Sequence, residues 1–291
     1  MAKKTVIAIM YDFDKTLCTK NMQEYSFIPN VGMKVSEFWE KSEKLSKEEK
    51  MDGVLSYMRL MITEANKADV SIHREDFVAL GKNLKFYKGV KDWFSRINEF
   101  GKKNGVIIEH YIISSGLREI IEGSEIFKEF KEVYACEFLY DVNDIAVWPK
   151  NVVNYTTKTQ FLFRINKGVE DLSDDKSLNN YTPEDERRIP FRNMIYIADG
   201  MTDVPCMKLV KVNGGCSVAV FQNNEKSKKT AIDLLGDNRV DFAVPADYTE
   251  GSKLDGIIKD VIKEMAMKDS LINLSISQHK KYINNTLREE E

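Results

Sequence analysis

The sequence predicts an α/β fold: a parallel sheet flanked by helices and interrupted once by a helical insertion. Three observations predict it. Short, almost wholly apolar runs alternate with amphipathic stretches, as expected of a sheet buried on both faces. The first run, Val6 to Tyr11, passes directly into Asp12-Phe13-Asp14-Lys15-Thr16. Between about Asn21 and Tyr87, apolar residues recur at helical spacing with little strand signal.

Side chains alternate along an extended chain, so Asp12 and Asp14 point the same way while Phe13 points back into the packing. Two carboxylates at the end of a buried strand are costly unless a cation, hydrogen bonds or a shared proton offset the charge. A turn in which Asp only caps the next helix needs one of them. Two on one side ask for chemistry. In the insertion, Val35 to Lys47 carries Phe38, Trp39, Ser42 and Leu45 on one face. Lys50 to Ala68 carries Val54, Tyr57, Met58, Met61 and Ile62, and His73 to Asn83 continues the pattern with Phe77 and Leu80. Such Met and aromatic stripes read first as packing.

From Phe86 the α/β rhythm returns. Gly89 to Phe100 fits an amphipathic helix, and Val106 to Ile113 a second buried strand closing on Ser114-Ser115-Gly116. Leu117 to Ile121 and Ile126 to Phe130 read as helical, and Val133 to Cys136 as a short third strand. Glu137 to Tyr140 and Ile145 to Trp148 flank a turn as a β-hairpin. Lys158 opens a helix that ends at Gly168. Glu170 to Arg188 is acidic and long for a connector; such loops are either solvated or functional. Met194 to Ala198 is a fourth strand, running into Asp199-Gly200-Met201-Thr202-Asp203 and a helix from Val204. Cys216 to Phe221 is a fifth strand, Asp241 to Val244 a short sixth, and the rest is helical.

Composition narrows the class. The 291 residues hold 43% apolar and 31% charged side chains with a net charge of −3, ordinary for a soluble globular protein. No segment concentrates Lys and Arg into a nucleic-acid footprint, and no run approaches the ~20 apolar residues of a membrane helix. Cys18, Cys136, Cys206 and Cys216 are widely spaced and form no Cys-x-x-Cys pair, so they read as reduced thiols in a cytoplasmic protein. The oligomeric state is not written in the sequence.

Sites in parallel sheets gather outside the carboxyl ends of the strands. This sequence places Asp12 and Asp14, Ser114, Ser115 and Gly116, and Asp199 and Asp203 at those ends, with Lys158 heading a helix on the same side. Magnesium takes hard oxygen ligands, and a phosphoryl group takes hydroxyl, ammonium and backbone N–H donors. Each residue alone has an ordinary explanation: a solvated Lys, a strand-end Ser, an Asp in a turn. Their convergence does not. A serine-hydrolase reading of Ser114 fails, because the Gly-x-Ser-x-Gly elbow is missing; His110 reads as a strand residue.

These residues resemble the haloacid dehalogenase superfamily, in its phosphatase branch and nearest the phosphoserine-phosphatase-like group. The Asp-x-Asp-x-Thr motif is Asp12 to Thr16, the strand-ending Ser is Ser114, the Lys is Lys158, and Asp-Gly-x-x-Asp is Asp199 to Asp203. The resemblance covers residues 5 to about 225 and implies a Rossmann-like parallel sheet core with an inserted helical cap domain. The core is then 1–20 and 88–291, and the cap 21–87. The 170–190 loop and the extended C-terminus have no counterpart in the pattern.

The resemblance implies that Asp12 is the nucleophile, forming an aspartyl-phosphate, and that Asp14 is the general acid and base. It implies magnesium on Asp12, the Asp14 carbonyl and Asp199, with Asp203 close by. Ser114, Ser115 and Lys158 would bind the phosphoryl group, and Thr16 would support the loop. The substrate expected is a small phosphorylated metabolite. In phosphoserine-specific relatives a cap Glu reads the substrate amine; here that place holds Asn21, so phosphoserine is not assigned. Glu24 and Arg59 are the cap candidates for substrate contact, Arg59 competing with a reading as a surface residue. Transfer of the phosphoryl group to a second hydroxyl, by a phosphotransferase or phosphomutase, is the alternative to hydrolysis. A non-catalytic binding protein fits the full carboxylate set less well.

Overall fold

The computed structural model describes residues 4–184 and 186–289. Seven strands form one sheet: β1 (Val6–Tyr11), β2 (Ile107–Leu117), β3 (Glu132–Tyr140), β4 (Ala146–Asn151), β5 (Met194–Ala198), β6 (Cys216–Phe221) and β7 (Phe242–Pro245). Their order is β4-β3-β2-β1-β5-β6-β7, and every neighbouring pair is parallel except β3 with β4. β1 is central because it is apolar throughout and buried from Ile7 onward. The strand order runs away from it in both directions, which opens a crevice beyond its carboxyl end. Tyr11 stands opposite both Ile112 and Ile197, so the residues following β1, β2 and β5 emerge side by side.

Two strand expectations change. β2 runs on through Ser114-Ser115-Gly116 to Leu117, with a shift in register against β3 after Ile113. The third strand and the first hairpin arm are one element, β3, which pairs with β2 at its start and with β4 at its end. Glu137 breaks the apolar run and suggested a boundary, but it falls where the ribbon leaves the buried sheet.

The helical insertion comprises α1 (Phe27–Asn30), α2 (Val35–Glu49), α3 (Gly53–Lys67) and α4 (Arg74–Leu80). Asp52 caps α3 by accepting from Val54 N at 2.8 Å and Leu55 N at 3.3 Å. α2 packs on α3 through Phe38, Ser42 and Ser56, where Ser56 Oγ donates to the Ser42 carbonyl at 2.5 Å. The two linkers pair with each other: Thr19 N donates to Lys85 O and Tyr87 N to Leu17 O, both at 2.9 Å.

Next come α5 (Val90–Lys103), α6 (Arg118–Glu122), α7 (Lys158–Lys167), α8 (Asp175–Asn179), α9 (Val204–Val212), α10 (Glu225–Gly236) and α11 (Lys253–Glu289). The insertion docks on the core. Phe77 stacks on Phe138 at 5.5 Å, and Ala146 N donates to Ile72 O at 3.1 Å. A Cβ on Gly123 would sit 1.7 Å from Val78 O, so only glycine lets α4 come this close to the end of α6. The 170–190 loop contains α8 and is anchored by Arg164, a buried guanidinium that donates to Asp171 O at 2.6 Å and Leu172 O at 3.0 Å. The first turns of α11 bury Leu254, Ile258, Val261 and Ile262, and Asp255 pairs with Arg96 on α5.

A polar chain crosses the core beneath the crevice. Trp93 Nε1 donates to Tyr11 Oη at 2.8 Å, Tyr11 Oη lies 3.0 Å from His110 Nδ1, and His110 Nε2 lies 3.1 Å from Asn98 Oδ1. Indole can only donate, so the network assigns Tyr11 as donor to Nδ1 and places the imidazole proton on Nε2. Burial holds the pKa of His110 down to about 3.

Candidate active site

The site is built from the loop after β1. Lys15 adopts a left-handed backbone at φ 58°, and Leu17 N and Cys18 N then close on the Phe13 carbonyl at 3.0 and 3.2 Å. Phe13 is fully buried, and Asp12 and Asp14 face the crevice. Asp12 N is tied to Ile197 O on β5 at 3.0 Å, which fixes the start of the loop. Thr16 is buried, its Oγ1 3.5 Å from Asp199 Oδ1 and its carbonyl accepting from Tyr248 Oη at 2.9 Å.

Lys158 is 1% exposed, not solvated. Its Nζ donates to Asp12 Oδ1 at 2.8 Å and to Asp203 Oδ1 at 2.6 Å. Burial alone would depress an ammonium, but the two carboxylates outweigh it and raise the pKa. Asn154 prepares this position: its side-chain oxygen accepts from Thr156 N and Thr157 N at 3.0 and 2.9 Å, turning the chain into α7. Asp203 also accepts from Tyr196 Oη at 2.7 Å, a partner the sequence did not single out. Tyr196 sits in a wholly apolar strand, where a Tyr reads as core.

Ser114 is fully buried, and its Oγ accepts from Gly116 N at 3.0 Å, leaving the hydroxyl proton available. The Ser115 carbonyl accepts from Tyr57 Oη of the insertion at 2.6 Å. A Cβ on Gly116 would meet Met22 Cε at 2.1 Å and Asp14 Oδ2 at 3.3 Å, so this glycine admits both neighbours.

Electrostatics separate the carboxylates. Burial lifts Asp12 to about 6, against the pull of Lys158. Asp14 rises further, to about 8, through burial and then the charge of Asp12, although Met22 N donates to its Oδ1 at 2.9 Å. Asp199 rises to about 7, through burial and then Asp12 and Asp203. One carboxylate oxygen each from Asp12, Asp199 and Asp203 lies within 4.8 Å of the other two. This donor set is oxygen-only and carries more negative charge than Lys158 offsets, so it fits a hard dication such as magnesium. Lys158 and Tyr196 already occupy Asp203 Oδ1, and Asp203 does not line the cavity that Asp12 and Asp199 share.

Asp12, Asp14, Ser114, Ser115, Lys158 and Asp199 line one cavity of about 520 Å³. The cap candidates do not. Arg59 is exposed and outside the lining, two residues from Tyr57 and therefore on the other side of α3. Glu24 accepts from Asn21 Nδ2 at 2.5 Å and Trp39 Nε1 at 3.1 Å behind the wall. The insertion residues that line the cavity are Asn21, Gln23, Trp39, Asp52, Gly53, Val54 and Tyr57. Gln23 had no sequence signal, because its burial comes from docking rather than periodicity.

Known proteins share this fold. An uncharacterized protein of Borreliella burgdorferi is 32% identical over 279 residues, covering 87% of this chain and 95% of that one. A substrate-bound phosphoserine phosphatase shares the fold at a TM-score of 0.56 and 15% identity, covering 89% of this chain and 99% of that one. A haloacid dehalogenase family hydrolase of Salmonella enterica aligns at a TM-score of 0.50 and 17% identity over 76% of this chain and 64% of its own length. The sequence pattern of the haloacid dehalogenase-like hydrolases matches residues 9–208, from β1 to α9. The chain belongs to the haloacid dehalogenase-like hydrolase family.

Proposed function

We propose that the chain is a magnesium-dependent phosphatase that hydrolyses a small phosphomonoester through an aspartyl-phosphate on Asp12. One observation carries this reading. At the point where the strand order reverses, Asp12 is held by Lys158 at 2.8 Å, while its neighbour Asp14 keeps a proton up to about 8. One carboxylate is ready to attack and the other is ready to give a proton.

Asp12 Oδ attacks phosphorus as the ester P–O bond breaks, and Asp14 gives its proton to the leaving oxygen. A water then attacks the phosphorus of the aspartyl-phosphate. Asp14 takes the water's proton, the Asp12 acyl-phosphate bond breaks, and free phosphate leaves. The Ser114 hydroxyl, the Lys158 ammonium and backbone N–H groups of the two loops hold the phosphoryl oxygens. Asp12 and Asp199, with Asp203 further out, would hold magnesium, which supplies positive charge against the phosphoryl group when bound. Residues 21–87 act as the cap, moving on the paired linkers at Thr19 and Lys85 to exclude water. Among the described residues no helix is long and apolar enough to cross a membrane. The four buried, unpaired cysteines support a cytoplasmic setting.

The test is phosphate release from a panel of phosphorylated metabolites and a generic aryl phosphate, with added alcohols as competing acceptors. Release that EDTA abolishes and magnesium restores supports the reading. Asp199→Ala should lose most of the magnesium response, and Asp203→Ala about 10–100-fold in activity. Release unaffected by EDTA would contradict the metal assignment, and no release from any ester would contradict the function.

A further inference from the structure

The cavity over Asp12 and Asp14 has two unlike walls. The core wall carries the phosphoryl machinery and the cations among the lining residues, Lys15 and Lys158. Lys158 is engaged by Asp12 and Asp203. The cap wall, where a leaving group must rest, carries no cation; its charged group is Asp52. Asp52 is itself occupied, with Oδ1 on the start of α3 and Oδ2 accepting from Asn154 Nδ2 at 2.9 Å. A carboxylate or second phosphate on the leaving group would face that negative charge with no cation on the same wall.

Gln23 supplies what this wall does offer. It is 2% exposed, it lines the cavity, and its Oε1 meets no hydrogen-bond donor. An acceptor buried without a partner is destabilising, a cost recovered when a ligand brings an O–H. Trp39 and Tyr57, with ring centroids 6.0 Å apart, add aromatic surface to the same wall. Trp39 Nε1 is turned to Glu24, so the indole offers the cavity carbon surface rather than a donor.

We infer that the cap wall selects a hydroxyl-bearing leaving group without an anionic substituent, a polyol monophosphate, whose O–H donates to Gln23 Oε1 while its C–H face rests on Trp39. This rests on the phosphatase reading above. Gln23 is thereby a specificity residue: it touches the leaving group and takes no part in the transfer.

The experiment compares kcat/KM for glycerol phosphate, propyl phosphate, phosphoserine and phosphoglycerate, with p-nitrophenyl phosphate as the common reference. The wild-type protein should prefer glycerol phosphate over propyl phosphate by about tenfold or more, the factor that one buried hydrogen bond of roughly 1.4 kcal/mol supplies. It should prefer glycerol phosphate over the carboxylate-bearing esters, phosphoserine and phosphoglycerate, as well. Gln23→Leu, of similar volume and without an acceptor, should bring the glycerol-to-propyl ratio near one. Gln23→Lys should shift the ratio of phosphoglycerate to glycerol phosphate upward by about tenfold, a gain that a folding defect cannot produce. A wild-type preference for a carboxylate-bearing ester, or a glycerol-to-propyl ratio that Gln23→Leu does not move, overturns the inference while turnover of the aryl ester leaves the phosphatase reading standing. Loss of turnover on every ester, the aryl one included, overturns both.

Discussion

Met22 N donates to Asp14 Oδ1 at 2.9 Å, which joins the first turn of the helical insertion to a carboxylate of the crevice. Met22 Sδ also lies 3.1 Å from Leu117 N at the end of β2. One residue of the insertion therefore touches both loops that would hold the phosphoryl group. Its position and that of the Asp14 carboxyl are set together. The remaining oxygen of Asp14 is free to face a leaving group.

The role of that oxygen gives a first prediction. Asp14→Asn should lower kcat/KM for an alkyl phosphate by about 10²–10⁴-fold, the usual range for a general acid. An aryl phosphate, whose leaving group needs little protonation, should lose much less. Steady-state kinetics on both esters check this, and equal losses would remove Asp14 from proton transfer.

Lys158 lies between two carboxylates that have almost no contact with water. Asp12 is 6% exposed and Asp203 is fully buried. Removing the ammonium leaves both without their shared partner, and breaking a buried pair in this way costs about 3–5 kcal/mol. Lys158→Met should show that loss in urea unfolding without magnesium, together with loss of turnover. A variant as stable as the wild type would mean that the carboxylates are offset by something else.

How much of this was legible in the sequence depends on what bounded each element. β1, β5 and β6 were read to the residue because each apolar run ends in a polar turn. The Asp12, Ser114, Lys158 and Asp199 constellation was legible because strand ends and helix starts fix where side chains emerge. The cap side of the cavity was not. Arg59 was singled out for lying near the apolar stripe in sequence, but two residues along a helix turn a side chain to the far side. Gln23 is a lone polar residue in a short turn, and no periodicity marks it. Its burial exists only once the insertion docks on β2 and α6.

His110 gives a prediction about pH. Its folded pKa, about 3, lies below the ordinary value of 6.5, so below pH 6.5 the unfolded chain binds more protons than the folded one. The stability tied to neutral His110 is fully present above pH 6.5 and is lost as pH falls toward 3. Urea midpoints measured across that window should fall more steeply for the wild type than for His110→Phe. The variant should begin less stable by about 1–3 kcal/mol, since Tyr11 Oη then has no acceptor. Parallel pH profiles would place the imidazole in contact with water.

The packing at Gly116 gives a prediction that couples two residues. Gly116→Ala should cost about 1–3 kcal/mol and most of the activity, because the added methyl group displaces Met22 and through it Asp14. Combining it with Met22→Ala should recover part of both losses. A double variant no better than the sum of the single ones would show that Met22 does not transmit the strain.

The central claim is that Asp12 carries the phosphoryl group, and the most direct measurement is acid quenching during turnover followed by mass spectrometry of the peptides. The account predicts a phosphoryl adduct on the peptide containing Asp12, labile to hydroxylamine as an acyl phosphate is, and absent from Asp12→Asn along with turnover. An adduct on Ser114, or undiminished turnover by Asp12→Asn, would contradict it.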